Sequence, residues 1–317
     1  HSNQTNPNNA AWQKAFNAPG IYPVYDENNT EATPVKFASP SSVGFTNNFY
    51  NPVALAYYYN SKNRTSQFLN NYYMDLTFIP EKLHFKSSMS YDHSTIEGYT
   101  FLPKYYISAQ LHTDNSGLTK AMTTYNNYVW DNTLNYNDTF GKHNLGLMLG
   151  YSMRQEKYHI LNGYANNVPD GKEEYWYVNQ GDEASRKSSE DAYTYRGLSY
   201  FGRINYNYAS KYYLMFTFRA DGSSKYNEHW GYFPSVGASW VVSEEPFFKN
   251  NVKGIDYLKL RGSWGRLGND HVASSDGFAS ITTGNGASGV FGNATVAGYQ
   301  NTTYFSWLQW ELVEEAN

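Results

Sequence analysis

The feature that most limits what this chain can become is the length over which its side chains alternate. Leu198, Tyr200, Ile204, Tyr206 and Tyr208 are apolar or aromatic, with Ser199, Arg203, Asn205 and Asn207 between them. After Ala209-Ser210-Lys211 the pattern resumes, Tyr212, Leu214, Phe216 and Phe218 standing against Tyr213, Thr217, Arg219 and Asp221. A period of two sends successive side chains to opposite faces of a strand, so two such runs around a short turn predict a β-hairpin. Each arm holds its pattern for about 10 residues, where ordinary strands average about 5–6. About 9–11 tilted residues cross a bilayer as β structure. The hairpin is long enough to span a membrane.

Three further pairs follow the same rule. Phe68, Tyr72, Met74, Leu76 and Phe78 lead through Pro80-Glu81-Lys82 to Leu83, Phe85, Met89 and Tyr91. Tyr128, Trp130, Leu134 and Tyr136 precede a turn at 138–142, and Leu145, Leu147, Leu149, Tyr151 and Met153 follow it. Tyr232, Val236, Ala238, Trp240 and Val242 pair with Leu258, Leu260, Gly262 and Trp264, and a ninth strand is expected near Tyr304–Trp310. Connections near 80–82, 138–142 and 209–211 are short and that at 243–257 is moderate, whereas 93–124, 156–192, 222–231 and 265–303 are mostly long and polar. Short on one side and long on the other is the pattern of an outer-membrane barrel, with tight periplasmic turns and large external loops. The expected fold is all-β: an antiparallel transmembrane β-barrel in part, about 8–9 strands of a larger barrel. Its apolar face meets lipid; Asn71, Asp75, Lys86, Asp92, Asn144, Arg154, Arg203, Asn205, Arg219 and Asp221 line the interior. Tyr206, Tyr208 and Tyr212 sit at an inner aromatic girdle.

Residues 1–60 read as an extracellular loop region with little regular structure, punctuated at Asn6-Pro7, Pro19-Gly20, Ser39-Pro40 and Asn51-Pro52. Within them Ala11–Phe16 is a candidate short helix, and 61–317 carry the barrel strands and loops. The abrupt opening at His1 and the close at Glu314-Glu315-Ala316-Asn317 read as an internal piece of a longer protein.

Composition agrees. Aromatic residues make up 18% of the 317, with 32 Tyr and 8 Trp, while mean hydropathy is −0.68. Many rings in a polar chain suit a wall in which only alternate residues meet lipid. The 24 Lys+Arg against 28 Asp+Glu give no basic face for nucleic acid. Without cysteine there is no disulfide scaffold and no thiol nucleophile.

The run Ser199-Tyr200-Phe201-Gly202-Arg203-Ile204-Asn205-Tyr206, then Phe218-Arg219-Ala220-Asp221-Gly222-Ser223-Ser224, then Trp230-Gly231-Tyr232-Phe233-Pro234-Ser235-Val236, resembles the barrel of SusC/RagA-type TonB-dependent transporters. Leu258–Gly265 with Gly268-Asn269 is similar to the strand that follows there, and Asn51-Pro52-Val53-Ala54 is a weaker echo. The resemblance covers 198–269 closely. It implies a plugged barrel of about 22 strands that imports glycans or peptides with energy relayed by the TonB complex, beneath a SusD-like lipoprotein lid. No TonB box or plug is seen in these residues. On this reading Phe201, Gly202, Arg203, Arg219, Asp221, Gly222, Trp230, Gly231, Phe233 and Pro234 are structural.

Other chemistry is weakly signalled. Gly284–Gly289 matches GxGxxG without the strand and helix a dinucleotide needs. The adjacent acids Glu173-Glu174, Glu244-Glu245 and Glu314-Glu315 diverge on a strand and read as solvated charge. The eight histidines form no metal motif, and neither an enzyme nor a cofactor is expected. Asp221-Gly222-Ser223-Ser224 reads as a turn at a strand–loop junction, and Trp230 as an outer-girdle or loop-packing ring. Tyr175, Trp176 and Tyr177 are the candidate ligand contacts, as exposed rings that stack on sugars or meet a lid, against the plainer role of packing one loop on another. A passive porin or adhesin barrel, or a secreted carbohydrate-binding β domain, is the alternative function.

Overall fold

A computed structural model describes residues 2–5, 9–44, 50–270, 272, 280–282, 288–291, 293–297, 299–301 and 307–317. Its strands are β1 (Ser2–Thr5), β2 (Asn60–Ile79), β3 (Leu83–Leu102), β4 (Tyr105–Ser108), β5 (Leu111–Thr113), β6 (Gly117–Phe140), β7 (His143–Asn166), β8 (Lys187–Tyr208), β9 (Tyr212–Ser223), β10 (Trp230–Val241) and β11 (Lys259–Asn269). After β11 come β12 (Ser280–Thr282), β13 (Ser288–Phe291), β14 (Ala294–Ala297), β15 (Tyr299–Asn301) and β16 (Glu311–Ala316). The helices are α1 (Asn9–Asn17), α2 (Pro52–Tyr58) and α3 (Pro246–Asn251). A ten-stranded sheet runs in the order β1-β2-β3-β6-β7-β8-β9-β10-β11-β16. No helix among the described residues is long and apolar enough to cross a membrane.

Short turns fall where alternation breaks at 80–82 and 209–211, and the one expected at 138–142 narrows to 141–142 because β6 runs on to Phe140; elsewhere too the strands run past the patterned segments. β6 and β7 reach 24 residues each, so the expected loops 93–124 and 156–192 shrink to what lies outside β3–β7 and β8. In those outer lengths Phe101, Leu118 and Ala165 are buried in a core with Val168 and Trp176, so the row of alternate apolar residues that marks the inner lengths is not continued there. The expected loop 222–231 shortens too: Asp221, Gly222 and Ser223 lie in β9, paired with Ser199, Leu198 and Gly197. That corrects the turn expected at Asp221–Ser224. The hairpin closes later, where Ser223 N donates to His229 O at 2.9 Å. Of the ninth strand expected near Tyr304–Trp310, 304–306 lie outside the described residues; 307–310 are not strand, and pairing begins at Glu311.

Contacts divide the chain into two units. One comprises His1–Phe68, His93–Tyr125 and Tyr158–Ala192. Within it the described residues of 1–60 carry more regular structure than expected. Phe37, Ala54, Tyr58, Tyr105, Ile107 and Leu111 form a core, with the Tyr58 and Tyr105 rings stacked at 4.2 Å. Buried Asn29 donates to Phe37 O at 2.8 Å and Ile107 O at 3.2 Å, so 1–60 and the β4–β5 hairpin share one core. Asn51-Pro52 is not a turn but a helix start. Asn51 Oδ1 accepts from Val53 N and Ala54 N, each at 3.2 Å, and Pro52 occupies the first helical position, where no N–H is needed. The expected helix at 11–16 is present as α1.

The other unit comprises Leu69–Asp92, Asn126–Lys157 and Tyr193–Asn317. Its β8–β9 turn places Ala209 and Ser210 at φ 51° and 54°, closed by Lys211 N donating to Tyr208 O at 3.0 Å. Ala209 N also donates to Lys142 O at 2.7 Å, tying this turn to the preceding one.

Candidate functional site

Register decides which residues share a face. Ile204 lies opposite Phe216, Phe216 opposite Val236, and Val236 opposite Trp264. Tyr208, Tyr212, Trp240 and Leu260 form a second row across the same strands. Leu214 is 48% exposed and Leu260 55%, although burying such side chains stabilises a protein by about 1.5–3 kcal/mol each in water. A contiguous apolar surface of this kind marks a membrane or partner surface.

Rings bound the surface at two levels. Near the short turns Tyr212 stacks between Tyr208 at 6.4 Å and Trp240 at 6.3 Å. Toward the other end Tyr200 lies 5.4 Å from Tyr151 and 6.1 Å from Trp230. Between them stand Leu149, Ile204, Leu214, Phe216 and Val236. From Tyr200 to Tyr208 is about 26 Å along the strand at ~3.3 Å per residue, or about 20 Å after a barrel strand's tilt. With the rings themselves added, that fits the ~25 Å apolar band of an outer-membrane barrel.

The opposite face is polar. Asn144 Nδ2 donates to Asn207 Oδ1 at 2.9 Å, and a hollow of about 1180 Å³ is lined there by Asn144, Asn205, Asn207, Tyr213, Lys259 and Arg261. Phe201 and Phe233 sit on this face in hollows left by glycines. Phe201 covers Gly150, where a Cβ would come within 2.1 Å of its ring, and Arg219 lies over the same ring at 5.0 Å. Arg219 also grips Asp221, at 2.8 and 3.1 Å. Phe233 covers Gly268 in the same way and meets Trp310 at 5.3 Å.

The remaining motif residues are placed by the same geometry. Gly202 faces Phe218 beside Leu149, and Arg203 faces Thr217 on the polar side. Gly222 lies beneath the Trp230 ring, 3.3 Å from where its Cβ would be; lack of a side chain, not a positive φ, suits it to that position. Gly231 pairs with Asp221 beside the Phe233 ring. The β10–β11 ladder stops at Ser235↔Gly265, one residue short of Pro234, which has no N–H to donate.

The three loop rings do not act together. Trp176 is 8% exposed, stacked on Phe101 at 4.1 Å in a core with Leu118, Ala165 and Val168. It therefore packs the loop and is not available to stack on a ligand. Tyr175 and Tyr177 stay exposed, and Lys120 Nζ sits 4.9 Å over the Tyr177 ring. The paired acids are engaged in ion pairs: Glu173 with Lys62 at 3.2 Å, Glu244 with Lys249 at 2.6 Å, and Glu314 with Arg266 at 2.5 Å. Glu245 accepts from Tyr212, Trp240 and Lys211, and these hydrogen bonds, Tyr212's foremost, hold its carboxyl below the ordinary glutamate range. The GxGxxG run falls largely outside the described residues, and its last two residues begin β13, paired with β14 rather than leading into a helix.

Sequence reasoning missed one polar cluster, in which Arg154, Tyr195, Lys225 and Asp270 meet. The available sign was Gly197, a glycine inside a strand, where a side chain would strike Arg154 and Tyr195.

No family model matches the chain. Among curated proteins it is 30% identical over 268 residues to TonB-dependent receptor P3 of Formosa agariphila, covering 84% of this chain and 26% of that protein. It is 30% identical over 237 residues to TonB-dependent receptor SusC of Bacteroides thetaiotaomicron, covering 72% of this chain and 22% of that protein. Among solved structures, the RagAB peptide transporter aligns over 86% of this chain and 29% of its own, with a TM-score of 0.72 at 19% identity. The open-open state of the RagAB peptide importer aligns over 94% of this chain and 34% of its own, with a TM-score of 0.71 at 19% identity. The chain thus spans about a quarter of the curated relatives' length.

Proposed function

Because the chain belongs to the TonB-dependent receptors of the SusC/RagA type, we propose that it forms part of the barrel wall of an outer-membrane transporter importing oligosaccharides or peptides. The observation that carries this reading is the registered apolar band between two aromatic rows, backed by a polar face. The band meets lipid, the three short turns face the periplasm, and the long connections face outside. The polar face lines a water-filled lumen. The relatives are receptors and transporters by name, not enzymes, and no metal-holding group occurs among the described residues.

Import draws on energy relayed by TonB, and a SusD-like lipoprotein covers the external side. Both roles require parts of the protein beyond these residues. The neighbouring RagAB structures are described as a peptide transporter, and one curated relative carries the name SusC. The test is uptake by cells carrying the full-length gene, using fluorescent maltoheptaose and a fluorescent peptide pool, with and without a protonophore. Energy-dependent accumulation of one probe, lost on deleting the gene, is expected. Accumulation that persists after the proton-motive force collapses would favour a passive pore and contradict the proposal.

A further inference from the structure

One cluster on the polar face holds more cationic donors than a loop anchor requires. Arg154 of β7, Tyr195 of β8 and Lys225 of the β9–β10 connection converge on Asp270, the residue after β11. Arg154 Nη2 donates to Asp270 Oδ2 at 2.7 Å and to Tyr195 Oη at 2.6 Å, and Arg154 Nε reaches the same phenol at 3.2 Å. Tyr195 Oη donates onward to Asp270 Oδ2 at 3.1 Å, and Lys225 Nζ donates to Asp270 O at 3.0 Å. The two cations lie 4.7 and 4.9 Å from the centre of the Tyr195 ring. Tyr195 is only 2% exposed. Gly197 makes the arrangement possible, since a Cβ there would stand 2.9 Å from both Tyr195 Oη and Arg154 Nε.

Two cations meet one hydrogen-bonded carboxylate, with Glu156 acting on Arg154 only at longer range. Among the described residues no second carboxylate bonds to Arg154 or Lys225. The Arg154 side chain is 43% exposed and that of Asp270 27%, so water reaches the ion pair. Guanidinium, ammonium and a fixed phenol are donors suited to a carboxylate. Replacing one carboxylate by another preserves the charge balance, so exchange does not strand a desolvated cation.

We propose that Arg154, Lys225 and Tyr195 form a recognition site for a carboxylate on the transported ligand, held shut from within by Asp270. The proposal rests on the reading of the polar face as lumen. An acidic oligomer takes the place of the Asp270 carboxylate.

The test uses the full-length protein in detergent and titration calorimetry. Trigalacturonate and triglutamate are the acidic probes; maltotriose and trialanine are the neutral ones. Asp270→Asn removes the internal competitor and is expected to tighten binding of an acidic probe by about tenfold, with a steeper salt dependence. The neutral probes should not respond, and which acidic probe does distinguishes a saccharide from a peptide source. Arg154→Gln, added to Asp270→Asn, should erase the gain. If folded Asp270→Asn binds both acidic probes no better than the parent, Asp270 is a loop anchor alone and the proposal fails. Labelling Arg154→Cys in whole cells with a membrane-impermeant maleimide separates the two levels of argument. Labelling is expected; with labelling but no gain in binding the inference fails alone, and without labelling the lumen reading fails with it.

Discussion

The two units handle large apolar side chains in opposite ways. The first buries Phe37 and Phe101 at 0% and 1% exposure, in two cores built from segments far apart in sequence. The second leaves Leu214, Phe216 and Leu260 exposed on a registered face and puts its polar residues on the other. Composition does not separate them, since both are rich in tyrosine. The surrounding solvent does: one unit is arranged for water and the other for hydrocarbon. The lesson is that exposure counts as a defect only relative to the solvent a surface meets.

Substitutions that a cavity and a lipid face answer differently break or sharpen this comparison. The largest effect is expected at Phe37→Ala, about 3–5 kcal/mol of destabilisation from lost transfer energy and an unfilled cavity. Because this core lies in the first unit, local proteolysis of 1–60 should accelerate while the heat-resistant barrel band on a gel persists. Next, Phe216→Arg should cost about 2–4 kcal/mol if it sits near the bilayer midplane, read by urea unfolding in lipid vesicles. Thr217→Arg, its neighbour on the polar face, should be milder; equal costs would erase the distinction between faces. Asn51→Ala removes a helix cap and two hydrogen bonds to Val24 O and Ala38 O, and should lower first-unit stability by about 1–2 kcal/mol. The smallest change has the opposite sign. Ala209→Gly relieves a left-handed backbone and should stabilise the β8–β9 turn by up to about 1 kcal/mol, seen as a slower unfolding rate.

Much of the second unit was legible because one face meets lipid and the other water, which imposes a period of two on every strand. The turn at 209–211 and the facing of Leu214 and Phe216 follow from that alone. Strand ends were not legible, because β6 and β7 continue where neither face meets lipid. The first unit was hidden for a different reason. Its core joins Asn29 to Ile107 and Phe101 to Trp176, and no local periodicity announces such contacts. At Asn51-Pro52 the signal was present, since both a turn and a helix start use that pair; burial of Ala54 and Tyr58 decides for the helix. Trp176 shows the same limit, as its sequence neighbours Tyr175 and Tyr177 are exposed and only the fold separates it from them. The Arg154–Asp270 pair spans a separation of 116 residues, and only the registered wall brings its members together.

The central claim is that alternate residues of β9 face hydrocarbon and water. Nitroxide labels placed singly at positions 212–218 of the full-length protein in lipid vesicles test it most directly, by collision rates with oxygen and with a water-soluble nickel chelate. The account predicts a two-residue oscillation, oxygen maxima at 212, 214, 216 and 218 and nickel maxima at 213, 215 and 217. Uniform access to nickel, or an oscillation of opposite phase, would contradict it.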